Sequence, residues 1–239
     1  MQIKIEISDC LALAPGLATD ADWLAWAQLG QSDQSALPAF DLVPSSMRRR
    51  MSLSSKLVMQ ASLLLSSKHD IDYGIFISRH GELQRTYKLL KEILSGDEAS
   101  PIAFSQSVHN TASGLFTIAD KNPLPVTSLA ACQDSFQQGL IEAFARLSVA
   151  VNQKILLVCF DDVVPEVYDS FADELSSCYA LGLVLESGDG WVVETCEPGK
   201  VSKEIVLPQA LQFAQSYFLG RKNFIIKGSR QNWEWKCVS

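Results

Sequence analysis

The chain of 239 residues is 47% hydrophobic and 20% charged. This composition suits one globular domain with a sizeable core and excludes a disordered chain, a collagen-like chain and a small disulfide scaffold. Twenty basic and 27 acidic side chains leave a formal net charge of −7, which disfavours binding to nucleic acid or to an anionic membrane. No apolar run approaches the ~18 residues of a membrane span. Six cysteines without a C-x-x-C pair indicate reduced thiols in the cytoplasm and no metal site.

Hydrophobic periodicity predicts alternating strands and helices over the first two thirds of the chain. In chain order these are a strand at 1–7, a helix at 20–29, a helix at 45–67 capped by Ser45 or Ser46, a strand at 72–77, a helix at 81–94, a helix from about Ser105 to Ala119, a strand at 124–131, a helix at 133–149 and a strand at 154–160. This alternation is typical of an α/β layer architecture.

The last third of the sequence is less regular. Short strands are predicted at 180–185, 191–195, 205–207, 223–226 and 232–237, with one helix at 209–218. Trp233 and Trp235 alternate along the last strand, so they point to one side of it. We expect the two indoles to cover an exposed sheet face.

Cys132 follows a predicted strand and comes directly before a predicted helix. A thiol at such a junction lies near helix N-terminal amides, whose partial positive charge favours a thiolate and can hold an oxyanion. The alternative is a small buried side chain, because free cysteine is commonly buried. The position alone leaves both interpretations open.

Several predicted elements recur in a characteristic order: an early helix at 48–62, the strand at 72–77, a helix with Asn110, Ala112 and Gly114, the turn Asn122-Pro123, and the strand that ends at Ala131 before Cys132. With these motifs, residues 45–162 resemble the N-terminal half of the β-ketoacyl synthases, which belong to the thiolase-like superfamily. The resemblance implies an α/β, thiolase-like fold reduced to one ketosynthase-like half. Residues 1–165 would form that core, and residues 166–239 a short C-terminal α+β addition that completes the same domain.

The departures from the family pattern bear on catalysis. A condensing enzyme of this family uses two histidines, and usually a lysine, after its cysteine to stabilise the enolate and the thioester oxyanion. Here all three histidines, His69, His80 and His109, precede Cys132. The next residues are Gln133 and Asp134, where active enzymes carry small residues, and a carboxylate there opposes a nearby thiolate. We therefore expect no catalytic residues and no cofactor, with Cys132 only at a nucleophile-like position.

A half-length, incomplete relative resembles the chain-length factors of type II polyketide and aryl polyene systems. The resemblance implies a heterodimer with a full-length β-ketoacyl synthase, in which the growing acyl chain lies in a tunnel at the subunit interface. Val108, Thr111 and Leu115 share one face of the predicted helix. The tunnel or interface residues would be Val108, His109, Thr111, Ala112, Leu115 and Cys132.

Three consecutive arginines, Arg48, Arg49 and Arg50, are candidates for docking an acidic acyl carrier protein. A solvated first helical turn explains them equally well. His80 is a candidate base or a capping histidine. Two other functions stay open for the whole chain: an acyltransferase that carries the acyl group on Cys132, and a homodimeric acyl-binding module.

Overall fold

The computed structural model describes residues 1–30, 33, 35–197 and 206–238. Seven strands form one mixed sheet in the order β3-β2-β4-β5-β7-β6, with β1 paired to β5. Strand β2 pairs in parallel with β3 and β4, and the remaining pairs are antiparallel. The strands are β1 Gln2–Leu13, β2 Tyr73–Ile77, β3 Val126–Leu129, β4 Ile155–Asp161, β5 Tyr179–Cys196, β6 Asn223–Ile226 and β7 Asn232–Cys237.

Helices cover both faces of this sheet, which confirms the predicted α/β layers. The helices are α1 Asp20–Leu29, α2 Ser45–Arg48, α3 Leu53–Ser66, α4 Leu83–Leu94, α5 Pro101–Ser105, α6 Thr111–Asp120, α7 Ser135–Val149 and α8 Gln209–Phe218. One core cluster joins α1, α7 and α8 to the sheet, and a second joins α3 and α6 to its opposite face. Within the part of the chain that the structure describes, no helix is both long and apolar enough to cross a membrane. The division at residue 165 stays a prediction, although both parts supply strands to the one sheet.

The single helix predicted at 45–67 is wrong. The structure has a one-turn helix, α2, and then α3, which begins at Leu53. Ser52 is the N-cap residue of α3: its hydroxyl accepts a hydrogen bond from Ser55 N at 3.1 Å and donates one to Glu82 Oε1 at 2.8 Å. An N-cap residue must leave helical geometry, so the capping serine interrupts a periodicity that otherwise looks continuous.

The helix predicted from about Ser105 is also wrong, because two helices stand in its place. Helix α5 ends at Ser105 and α6 begins at Thr111. Val108 and His109 lie in the connection between them. Val108, Thr111 and Leu115 therefore do not form one helical face, since the first of them precedes the helix.

The C-terminal third has longer strands and more deeply buried tryptophans than the sequence predicts. The strands predicted at 180–185 and 191–195 are parts of the continuous strand β5. Trp233 and Trp235 are fully buried instead of covering an exposed face, because α8 lies over them and the Phe213 and Trp235 rings are 4.9 Å apart. Of the strand predicted at 205–207, residue 205 lies outside the described residues, and Val206 forms an isolated bridge with Glu174.

Candidate functional site

Cys132 lies in a sharp turn between β3 and α7. Its backbone is left-handed, with φ of 53°, and it begins a short 3₁₀ turn that leads into the helix. Ser135 closes the turn, since its hydroxyl donates to Cys132 O at 2.6 Å and accepts from Ala131 N at 2.9 Å. A non-glycine residue at positive φ is strained and is frequent at functional sites. A strand–turn–helix junction of this kind presents its side chain outward, and Cys132 is exposed.

Asp134, whose carboxylate is expected from the sequence to oppose a thiolate at Cys132, forms its hydrogen bonds with the C-terminal part of the chain. Its buried carboxylate accepts hydrogen bonds from Ser229 N at 2.9 Å, Ser229 Oγ at 2.5 Å and Gln209 Nε2 at 3.1 Å. These bonds join the start of α7 to α8 and to the turn between β6 and β7. Asp134 therefore has a structural role that links the two parts of the sequence.

The cavity beneath Cys132 is very small, about 10 Å³. This is about the minimum space for one water molecule, ~10–15 Å³. Among the residues that the structure describes, neither a histidine nor a lysine lines it. Its described titratable lining residues besides Cys132 are Arg79, Cys159, Asp161, Glu174 and Tyr179. As the described residues line it, the cavity therefore lacks the histidine pair of a condensing enzyme and is too small for an acyl chain.

The three histidines lie in other environments. His69 Nε2 is 3.0 Å from Asp9 Oδ2, and His109 Nε2 is 2.8 Å from Ser78 O. His80 lines a separate cavity of about 220 Å³. Its pKa is lowered, mainly because the imidazole is partly buried. A neutral imidazole there can accept or donate a hydrogen bond.

A charged network surrounds the larger cavity at the ends of β2 and β4. The buried Asp161 carboxylate accepts hydrogen bonds from Ser78 Oγ at 2.7 Å, His80 N at 2.8 Å and Arg79 N at 3.1 Å. Burial raises the pKa of Asp161, and these hydrogen bonds partly oppose the shift. The only signal for this network in the sequence is the acidic pair at the end of β4, Asp161 and Asp162.

The Arg79 guanidinium pairs with two carboxylates of the loop between β4 and β5. It lies 2.6 Å from Asp173 Oδ1 and 3.0 Å from Glu174 Oε1. Burial raises the pKa of Glu174 to about 7, although Arg79 acts in the opposite direction. The hydrogen bond from Arg79 lowers the pKa of Asp173. Sequence reasoning missed Asp173 and Glu174 because their partner lies more than 90 residues earlier.

The residues predicted for the tunnel or interface have different environments. Val108 is 44% exposed, and His109 is half-buried and packs near Gly81. Thr111 and Ala112 are buried in this chain, and Leu115 packs against the second core cluster. The most exposed apolar side chain of α6 is Ile118, at 68%, which the sequence analysis did not single out.

The three arginines lie next to a groove whose lining is partly basic. Arg49 and Arg50 are exposed, and none of the three makes an ion pair with a described residue. The Arg85 guanidinium donates to Arg50 O at 2.8 Å. Arg85, Lys88 and Lys91 line this groove of about 650 Å³, called the basic groove below. Glu92 and Asp97 are its acidic lining residues, and none of the three consecutive arginines lines it. Local positive charge on an acidic chain favours an acidic partner.

The fold and the cysteine turn together define a ketosynthase-type protein. The sequence model of the β-ketoacyl synthase N-terminal domain matches residues 23–236, so the chain belongs to that family. The resemblance proposed from the sequence is thereby confirmed. A comparison with curated protein sequences gives no match.

Solved structures extend this result. A chain from the ketosynthase ApeO in complex with its chain length factor ApeC, from Xenorhabdus doucetiae, is 34% identical with a TM-score of 0.88, and the match covers 98% of this chain and 99% of that chain. The ishigamide ketosynthase/chain length factor is 18% identical with a TM-score of 0.60, over 82% of this chain and 67% of that one. A complex of a type II acyl-carrier protein with its hexaketide-bound ketosynthase (AntDE:AntF) is 12% identical with a TM-score of 0.68, over 100% of both chains. The last two matches show the fold alone.

Proposed function

We propose that this chain is a non-catalytic, chain-length-factor-like subunit that pairs with an active β-ketoacyl synthase. The observation that carries the proposal is the incomplete chemistry around Cys132, whose cavity is lined by neither histidine nor lysine within the described residues. Decarboxylative condensation needs groups that stabilise an enolate and a thioester oxyanion. A partner with its own cysteine and histidines would supply that chemistry.

The 34% identical relative supports such an assembly, because that chain comes from a complex of a ketosynthase with its chain length factor. The product would be a polyketide or a fatty-acid-like chain such as an aryl polyene. We expect the pair to act in the cytoplasm, where the cysteine thiols stay reduced.

The edge of the sheet at β3 is the proposed interface with the ketosynthase. Strand β3 pairs with β2 on one side, and no described strand pairs with it on the other. Unpaired edges are normally covered. Phe104, Val108 and Ile118 are exposed apolar side chains on the segments before and within α6, and association with a partner would remove them from water.

The acyl tunnel would run along this interface. Val108, His109 and Cys132 are accessible enough to contact a partner or its acyl chain. Thr111, Ala112 and Leu115 would support the tunnel wall without contacting the acyl chain directly, because they pack within or against the core of this subunit. In this arrangement the tunnel takes its outer wall from the partner.

The basic groove is the proposed docking surface for an acyl carrier protein. Arg48, Arg49 and Arg50 would meet acidic side chains of the carrier protein, together with Arg85 and Lys88 of α4. Opposite charges across such a surface mainly accelerate association and fix orientation.

A second candidate function is acyl transfer through Cys132. The strained turn and the exposed thiol favour it. The Cys132 sulfur would attack the carrier thioester carbonyl, the bond to the carrier sulfur would break, and the carrier thiol would leave with the proton from Cys132. Intact mass after incubation with acyl carrier thioesters tests this step, with Cys132→Ala as the control.

Co-expression with a full-length β-ketoacyl synthase is the decisive experiment for the preferred function. We expect a tagged ketosynthase to retain this chain in equal amount through size-exclusion chromatography, and the pair to condense malonyl units. A chain that stays a stable monomer beside every ketosynthase tested contradicts the proposal. A stable homodimer that binds acyl groups without a ketosynthase would instead identify an acyl-binding module.

A further inference from the structure

The cavity beneath Cys132 and the larger cavity of about 220 Å³ share one wall. Arg79, Asp161, Glu174 and Pro208 line both of them. On the far side of this wall, Leu83, Tyr168 and Phe171 give the larger cavity apolar sides. A space with one apolar side and one charged side therefore adjoins the cavity at the cysteine, and Cys132 itself does not line it.

Ionic and backbone bonds hold this wall in position from two directions. The backbone amide of Arg79 donates to Asp161, while its guanidinium reaches Asp173 and Glu174. Its side chain is only 17% exposed. Opening the wall would separate a largely buried cation from two carboxylates, which is unfavourable because each charge would then lack its partner.

The same network includes the cysteine turn. Gln133, the residue after Cys132, donates from Nε2 to Asp173 Oδ2 at 2.6 Å. Arg79 donates to that oxygen as well, at 3.0 Å. Loop residue Asp173 therefore joins the turn and the wall, so that neither moves without breaking these hydrogen bonds.

We propose that the ion pair of Arg79 and Glu174 closes the larger cavity to any acyl chain attached to Cys132. The cavity beneath this sulfur, as the described residues form it, measures about 10 Å³ and does not accommodate a row of methylene groups. Arg79 and Glu174 are thus specificity-determining residues that deny this chain a pocket of its own. The inference extends the proposed non-catalytic role, but its test needs neither carrier protein nor ketosynthase, so the two can fail separately.

The test is the chain-length dependence of labelling at Cys132. Methyl and hexyl methanethiosulfonates each form a mixed disulfide with the thiol and release methanesulfinate, and peptide mass spectrometry with a Cys132→Ala control assigns the site. The full-length chain is used in the form in which it purifies. We expect the hexyl-to-methyl rate ratio of the wild type to lie within about twofold of 1, because the additional methylenes gain no buried surface.

The double variant Arg79→Ala/Glu174→Ala removes the ion pair from the wall, whose other members, Asp161 and Pro208, stay in place. Asp173, which loses Arg79 as a partner, is 43% exposed. We expect its rate ratio to rise at least about tenfold, because the hexyl chain gains an apolar space. Adding Leu83→Trp, which fills that space, should return the ratio to the wild-type value. A high ratio in the wild type overturns the proposal whether or not the variants fold. An unchanged ratio in a folded double variant overturns it as well.

Discussion

The Ser229 hydroxyl donates a 2.5 Å hydrogen bond to the carboxylate of Asp134. Asp134 lies two residues after Cys132, and Ser229 lies 95 residues after Asp134. Together with the bond from Gln209 Nε2, this contact fastens the start of α7 to the C-terminal strands. The position of the cysteine turn thus depends on residues from the last part of the sequence.

Replacing Asp134 with Ala should destabilise the fold. The change removes the acceptor of the Ser229 amide and hydroxyl, while Gln209 Nε2 keeps its hydrogen bond to Lys227 O at 3.2 Å. Because Ser229 is exposed and water can replace part of these bonds, we expect a loss of about 1 kcal/mol. Urea unfolding followed by circular dichroism measures the effect. Asp97→Ala is the matched control, because Asp97 is exposed and accepts no side-chain hydrogen bond that the structure describes. Equal stability of the two variants would contradict the structural role of Asp134.

Ile118→Arg should abolish pairing with the ketosynthase and leave the fold of this chain intact. The side chain is 68% exposed on α6, beside the edge strand β3, so a charge there meets solvent in the free subunit and apolar surface in the pair. Ile225→Arg is the matched control, since Ile225 is 56% exposed on β6 at the opposite end of the sheet. Pull-down from co-expression reads out pairing. Retention of the Ile118→Arg variant at the wild-type level would contradict an interface at this position.

Cys132→Ala should leave the condensing activity of the reconstituted pair within a few-fold of the wild type. The reason is that neither a histidine nor a lysine is among the described residues that line the cavity beneath the thiol, and that this cavity is only about 10 Å³. Malonyl consumption by the pair is the measurement, and size-exclusion chromatography checks that pairing is intact. A loss of about a thousandfold, ~4 kcal/mol in the barrier, would favour acyl transfer on Cys132.

Glu174→Gln should change the pH dependence of stability. Burial raises the pKa of Glu174 to about 7, so in the folded state its carboxyl group is largely neutral below pH 7 and is the charged partner of Arg79 above it. The raised pKa stabilises the folded state. This contribution is fully present below the pKa that Glu174 has in the unfolded chain, near 4.5, and is lost as the pH rises through 7. The wild type should therefore lose up to ~3 kcal/mol relative to the glutamine variant between pH 5 and pH 8.

Glu186→Gln is the control for this measurement. The hydrogen bond from Ser8 lowers the pKa of Glu186, so both its folded and unfolded pKa values lie below pH 5. Its difference from the wild type should stay constant between pH 5 and pH 8, as measured by urea unfolding. A constant difference for Glu174→Gln too would show that this carboxyl group is not buried in solution.

Reversing the charges of Arg48, Arg49 and Arg50 to Glu should weaken binding of an acidic acyl carrier protein at least about tenfold. Their positive charge has no counter-ion among the described residues, and long-range attraction to a carrier depends on it. Surface plasmon resonance on the assembled pair at low and high salt measures the change. Lys227→Glu/Arg230→Glu, near the far edge of the sheet, should have little effect. Salt-independent binding, unaltered by the arginine variants, would exclude the basic groove as the docking site.

The sequence by itself determined the α/β class, most strand positions, the junction at Cys132 and the family, because periodicity and ordered motifs are local properties of the chain. It did not predict the break at Ser52, where one side-chain hydrogen bond overrides the helical pattern. It also predicted wrongly that Trp233 and Trp235 lie on an exposed face of the sheet. In the structure α8 covers this face, and both indoles are buried.

Only the tertiary structure decided how the cysteine turn is surrounded. Gln133 meets Asp173 across 40 residues, and Arg79 meets Asp173 across 94. Spacing in the sequence does not encode such pairs, because they form only when β2, β4 and the loop after β4 come together at one edge of the sheet. For the same reason, whether the thiol adjoins an open pocket or a closed wall is a property of the packed structure.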